Sequence, residues 1–221
     1  VLKVKDFENR LRACEARFGG ATKIKRKKVS PLDKRTKEEL AKGCMRGGDR
    51  MNGHGYAKIY AKELLRYFDR AFTLVEVGVL TGSGIALWSS IFPKSEVIGL
   101  DIDIEIFISS ISNLKKRGAY RKSLPMVYEF DQLADTTEQV KALFGTRKIN
   151  VVIDDGLHTN TAILNTIEGF VPRLASDFLY FVEDNASVSK EISEKFPTFS
   201  VREYKTGPKY NDVLIVIERK K

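Results

Sequence analysis

Cysteine is scarce in this chain. There are two among 221 residues, Cys14 and Cys44. Their spacing matches no metal-binding pattern, so they read as free thiols of a reducing compartment. Long apolar runs are missing too: none approaches the ~18–20 residues a membrane helix needs. The opening stretch Val1-Leu-Lys-Val-Lys-Asp6 lacks the apolar core of a signal peptide. A cytoplasmic location with no membrane partner is therefore expected. Internal repeats and low-complexity tracts are also absent. What remains is 43% hydrophobic and 30% charged, the balance of a soluble globular protein rather than a disordered one. The length suits one domain with a short appendage.

Acidic residues are short in one place only. Residues 1–50 hold 16 Lys/Arg against 7 Asp/Glu, whereas residues 51–221 hold 22 of each. The formal charge of +9 thus belongs to the N-terminal segment. The chain divides accordingly into a basic helical extension, 1–50, and a main domain, 51–221. A basic arm can bind polyanions, with residues 23–28 as the candidate contact to nucleic acid, but most such arms are solvated surface. The segment is expected to lie outside the catalytic machinery. Val4, Phe7, Leu11, Cys14 and Phe18 fall on one helical stripe, ended by Gly19-Gly20. The stripe packs on its own domain or forms the contact of a homo-oligomer. Residues 23–28 read as a charged linker, and 31–48 as a polar helix and loop.

Tyr56, Ile59, Tyr60, Leu64 and Phe68 share one face of a helix over 56–70. Strands and helices then alternate. Strands are predicted at 73–78, 96–101, 126–130, 149–153 and 178–182. Helices are predicted at 83–92, from about 102 to 116, from a Thr136-x-x-Gln139 capping box, and at 159–174. Such alternation implies a mostly parallel sheet with helices on both faces, an α/β fold. The end of the chain breaks the rhythm: 199–204 and 213–218 are two strands with only a turn between them, an antiparallel hairpin.

Open parallel sheets bind ligands at the carboxyl ends of their strands. The first strand ends in Glu76-x-Gly78-x-x-x-Gly82-x-Gly84. Gly78 and Gly82 permit a tight turn and close approach of backbone to ligand, and Gly84 permits close packing of the next helix. The second strand ends in Asp101, where an acid can accept hydrogen bonds from ribose hydroxyls. A nucleoside-containing ligand is expected. The dinucleotide fingerprint Gly-x-Gly-x-x-Gly fails, because Leu87 or Leu80 stands where a glycine is required. The spacing instead resembles the first motif of class I methyltransferases, a Rossmann-like fold that also ends in a hairpin. The resemblance implies S-adenosylmethionine as cofactor, with Glu76, Gly78, Gly82, Gly84 and Asp101 around it. It also implies that Asp131, after the third strand, lies near the adenine.

A second constellation follows the fourth and fifth strands. Ile153-Asp-Asp-Gly-Leu-His158 and Val182-Glu-Asp-Asn185 end on the ligand side of the sheet. Asp155, Glu183 and Asp184 can converge there. Three carboxylates in one place repel unless a cation or protons compensate them, and oxygen ligands suit Mg²⁺. His158 lies three residues beyond Asp155 and is a natural general base. The bland alternative is that Asp155 caps the next helix and Glu183 pairs with a surface lysine. These segments resemble the metal-dependent sugar O-methyltransferases of macrolide and tetracenomycin biosynthesis, whose motif IDDGxH, followed by EDL or EDN, matches 153–158 and 183–185. The stretch His54-Gly-Tyr-Ala-Lys-Ile-Tyr60 resembles their helix start HxYxxxY, which brings Tyr56 to the cofactor-binding set. The resemblance implies Mg²⁺ on Asp155, Glu183 and Asp184, His158 as base, and a sugar or glycoside hydroxyl as acceptor. A catechol-type enzyme is a rival, though it usually has lysine in place of His158. A nucleic-acid methyltransferase is more distant, since no Asn-Pro-Pro-Tyr-type motif follows the fourth strand.

Overall fold

The computed structural model describes residues 2–20, 24, 28–36, 39–40, 45, 47–210 and 212–221. Cys44, most of the linker at 23–28 and much of the expected helix and loop at 31–48 lie outside these residues.

Seven strands form one sheet: β1 (Thr73–Val77), β2 (Glu96–Asp101), β3 (Met126–Glu129), β4 (Ile149–Asp154), β5 (Leu174–Glu183), β6 (Phe199–Lys205) and β7 (Val213–Arg219). Their order is β3-β2-β1-β4-β5-β7-β6. The first five run parallel, and β7 enters antiparallel between β5 and β6. The helices are α1 (Val4–Phe18), α2 (Ala57–Leu64), α3 (Ser83–Ile91), α4 (Ile104–Lys116), α5 (Thr136–Phe144), α6 (Asn160–Phe170) and α7 (Ser189–Lys195). This is the expected doubly wound sheet with its terminal hairpin.

Alternate residues of each strand feed two cores. Leu74, Val151, Ile153, Leu179 and Phe181 face one side with α1, α2 and α3. Val75, Val77, Val152, Tyr180 and Val182 face the other with α5, α6 and α7. The stripe of α1 is buried at Phe7, Leu11 and Phe18, and it packs on α2 and α3. No helix among the described residues is long and apolar enough to cross a membrane.

Three local expectations change. The helix expected over 56–70 is α2 followed by a 3₁₀ turn at Leu65–Tyr67. It stops because Phe68 turns extended and Asp69 takes a positive φ of 70°. The cap of α5 is Asp135, one residue before the expected Thr136: its side chain accepts from the Glu138 amide at 3.0 Å. Gln139 instead donates to the carbonyls of Asp131 and Asp135, and the Thr136 hydroxyl donates to the Asn165 carbonyl. Strand β5 begins four residues early, at Leu174, so the helix expected over 159–174 ends at Phe170 and a 3₁₀ turn at Val171–Arg173 leads into the strand; the exposed pair Ser176-Asp177 stays in the sheet.

Register places the functional ends together. Val77 pairs with Asp154, and Asp154 pairs with Val182. The next residue on each chain is Gly78, Asp155 or Glu183, so all three lie side by side at the carboxyl edge.

Candidate active site

The three loop glycines are each demanded by a neighbouring group. Gly78 has φ 88°, and a Cβ there would overlap the Asp155 carbonyl oxygen. Its bare backbone lets the ends of β1 and β4 touch, and the Asp155 amide donates to the Val77 carbonyl at 2.9 Å. Gly84 leaves room for the Glu76 carboxylate, which a Cβ would overlap. Gly82 sits at φ 82° before α3, and a side chain there would meet the Phe107 ring. Packing on α4 is thus one constraint on this position.

Asp101 is buried and organises this loop. Its Oδ2 accepts from the Leu80 amide at 2.8 Å, and its Oδ1 from the Asp103 amide at 2.9 Å. Leu80 is held at a positive φ of 47°. Asp101, Gly78, Asp131 and His158 line a cavity of about 310 Å³. Its far wall comes from the basic segment, at Lys28, Val29 and Ser30. Ser30 is buried and donates to Asp131 at 2.6 Å, and the Lys28 amide donates to Asp103 at 3.1 Å. The basic segment therefore walls the cavity, a placement that composition and charge gave no sign of.

A second cavity of about 310 Å³ meets the first at Gly78 and His158. Its lining includes Arg50, His54, Glu76, Ser83, Asp155 and Asp184. Among the described residues, Asp155, His158 and Asp184 offer ligand atoms within 4.8 Å of one another. Asp155 and Asp184 converge as expected, with His158 beside them. Glu183 faces inward: it accepts from the Tyr60 hydroxyl and lies 3.3 Å from Arg50 Nε.

Asp155 does not cap α6. That role belongs to Thr159, whose side chain accepts from the Ala162 amide at 3.3 Å. The turn after β4 is fixed by Gln132. It donates to Asp154 and to the Thr166 hydroxyl, each at 2.9 Å, and accepts from the Leu157 amide at 2.7 Å. His158 takes a positive φ of 57°. Its Nδ1 lies 3.2 Å from the Glu183 carbonyl, and its Nε2 lies 3.7 Å from Asp155 Oδ1. A proton on Nδ1 satisfies that carbonyl and leaves Nε2 as the acceptor.

Tyr56 is fully buried, and its hydroxyl donates to Asp184 and lies 2.9 Å from the Val213 carbonyl. It supports the acid cluster, and it lines neither cavity. His54 Nδ1 lies 2.9 Å from Asp212 and 3.4 Å from Asp184. Its acidic neighbours, Asp49 first, then Asp184 and Asp212, raise its pKa to about 9, so it is a cation at neutral pH. Arg50 reaches Glu76 at 2.6 Å and Asp155 at 2.8 Å. Burial pushes the Glu76 carboxyl up to about 7 against the pull of Arg50, and burial also raises Asp184 and Glu183.

Four carboxylates (Glu76, Asp155, Glu183 and Asp184) thus share two cations, Arg50 and His54. The crowding of these carboxyls, three of them with raised pKa, and the oxygen-rich donor set fit a divalent cation such as Mg²⁺, whose charge would favour their ionised forms. Arg50, Gln132 and Ser30 escape a reading of the sequence. No motif marks them, and an arginine inside a basic stretch reads as solvated charge.

No protein-family model matches the chain. Over 145 residues it is 28% identical to the 8-demethyl-8-alpha-L-rhamnosyl tetracenomycin-C 2'-O-methyltransferase of Streptomyces olivaceus, covering 62% of this chain and 35% of that protein. Over 139 residues it is 24% identical to the mycinamicin VI 2''-O-methyltransferase of Micromonospora griseorubida, covering 59% and 31%. The chain thus spans about a third of the length of the curated relatives it matches. Among solved structures, it superposes on the MycE methyltransferase of the mycinamycin biosynthetic pathway, in complex with Mg and SAH. The TM-score is 0.54 at 18% identity, over 74% of this chain and 49% of that one. An rRNA methylase from Streptococcus thermophilus gives 0.55 at 15% identity, over 72% and 93%. The fold is that of the class I methyltransferases. By sequence, the chain is related at low identity to the sugar O-methyltransferases of macrolide and tetracenomycin biosynthesis.

Proposed function

We propose that this protein transfers a methyl group from S-adenosylmethionine to a hydroxyl of a sugar or sugar-bearing small molecule, with Mg²⁺ assistance. The observation that carries this reading is the convergence of Asp155, His158 and Asp184 where the two cavities meet. The names of the sequence relatives, each a methyltransferase acting on an O-position of a glycosylated compound, support the acceptor class.

When bound, S-adenosylmethionine supplies an electrophilic methyl group, and Mg²⁺ supplies a charge that favours the alkoxide form of a bound hydroxyl. The chain's residues do the rest. Gly78, Asp101 and Asp131 shape the nucleoside side of the first cavity. Asp155 and Asp184 would hold the cation, with Glu183 joining them on leaving its inward position. The Nε2 of His158 accepts the acceptor's hydroxyl proton, since Nδ1 is committed to the Glu183 carbonyl. Gly78 and His158, which line both cavities, keep donor and acceptor in line, which is mainly an orientation effect.

Calorimetry tests the cofactor assignment. S-Adenosylmethionine and its demethylated product should both bind, and NAD should not. Ser30→Ala should weaken cofactor binding about tenfold, the equivalent of one hydrogen bond to a charged group. NAD binding without a response to S-adenosylmethionine would remove the reading. An unchanged affinity in the Ser30 variant would show that this wall of the cavity does not contribute to cofactor binding.

A further inference from the structure

Arg50 is an unusual resident for such a site. Its side chain is 7% exposed and touches carboxylates from three neighbouring strands: Glu76 within β1, Asp155 just after β4 and Glu183 at the end of β5. The guanidinium cannot shed its charge at any ordinary pH. A charge so buried persists only when paired, and here the pairing is built deliberately. The turn carrying Arg50 is clamped by α1, because buried Glu15 accepts from the amides of Met51 at 2.7 Å and Asn52 at 2.8 Å. Gly19 and Gly48 let the end of α1 cross this turn, since a Cβ at Gly48 would overlap the Gly19 backbone. One face of the guanidinium lies over the Trp88 ring, 5.6 Å from its centroid.

The three contacts are unequal. Nη2 bridges Glu76 at 2.6 Å and Asp155 at 2.8 Å, but Nε reaches Glu183 only at 3.3 Å. Asp155 gives Oδ2 to Arg50 and leaves Oδ1 facing His158. Asp155 can therefore serve the arginine and a second cation at once. Glu183 is turned away from that second position: its side chain is 2% exposed, it lines neither cavity, and its Oε1 meets both Tyr60 and Arg50.

We propose that Arg50 is a positioning residue that parks Glu183 in the cation-free protein and hands it over when a divalent cation binds beside Asp155 and Asp184. The inference rests on the metal-assisted reading above. Arg50 then stays anchored on Glu76 and Asp155, so the same side chain ties the cation site to the glycine loop. Arg50 and the divalent ion compete for one carboxylate, and that competition sets the cation affinity.

The test follows the Arg50 Nε–Hε resonance of the ¹⁵N-labelled full chain during titration with MgCl₂, alongside calorimetry of the same titration. The resonance is assigned by its contacts to the Trp88 ring and by its absence in Arg50→Lys. It should shift with the midpoint that calorimetry gives for Mg²⁺. Arg50→Lys keeps the charge but loses the Nε contact to Glu183, and it should bind Mg²⁺ roughly tenfold tighter, on the order of one buried contact between charged groups. A stationary Arg50 resonance during clear Mg²⁺ binding overturns the handover and leaves the metal reading standing. So does a lysine variant that binds Mg²⁺ no more tightly than the wild type. If the lysine variant does not fold, the wild-type resonance alone decides. If neither Mg²⁺ nor Mn²⁺ binds the wild type at all, the metal reading falls and takes this inference with it.

Discussion

His158→Ala should slow methyl transfer by ~10²- to 10⁴-fold, the usual cost of a lost general base. The residual rate should rise with pH, because solvent hydroxide then replaces the missing acceptor. Cofactor affinity should hold within a few-fold, since His158 is one lining residue of the first cavity and Gly78, Asp101 and Asp131 remain. Cation affinity should also hold within a few-fold, because His158 acts on the acceptor's proton. That second measurement discriminates between two roles the geometry allows, as Nε2 lies near Asp155 Oδ1. Loss of Mg²⁺ binding in the alanine variant would make His158 a ligand, and the base would have to be sought elsewhere.

Asp155→Ala should have the opposite signature. Cation binding should fall by more than the ~10- to 100-fold typical of groups that only support a ligand. Turnover should fall with it, while S-adenosylmethionine still binds. The fold should survive, because Arg50 keeps Glu76 and Glu183 as partners. The expected loss of stability is small, about 1 kcal/mol for one hydrogen bond of a network that remains paired. A variant that binds Mg²⁺ normally, with calorimetry as the readout, would remove Asp155 from the cation site. A variant that no longer binds cofactor would mean that the two cavities are not separable.

Much of this architecture is legible in the sequence because its signals are local. The buried runs at 73–77, 96–101, 149–154 and 213–219 are short, apolar and bounded by turns, so strands are the natural outcome. The hairpin follows from two such runs with no room for a helix. The convergence of Asp155 and Asp184 follows from topology, since adjacent parallel strands end at one edge. Other features depend on contacts that sequence spacing does not encode. Gly84 reads as a helix-packing residue, and α3 does approach β1 there, but that the neighbour is the Glu76 carboxylate is not legible from spacing. Gly82 reads as ligand contact, and its packing against Phe107 is a further constraint that spacing does not show. The burial of Arg50 requires three acids from three strands, and each of those acids has its own local explanation. Ser30 meets Asp131 across a separation of 101 residues, a distance no periodicity spans. The cap of α5 shows a smaller version of the same limit: Asp135 and Thr136 are both good caps, and only backbone geometry decides between them.

Product mass, measured after incubation with S-adenosylmethionine and a panel of glycosides, tests the central claim most directly. It should be run once with MgCl₂ and once with excess chelator. The account predicts that at least one glycoside gains a methyl group, that chelator abolishes the gain, and that added Mg²⁺ restores it. Methylation of a glycoside at full rate in excess chelator would contradict the cation site. Methylation of RNA but of no glycoside would contradict the acceptor class.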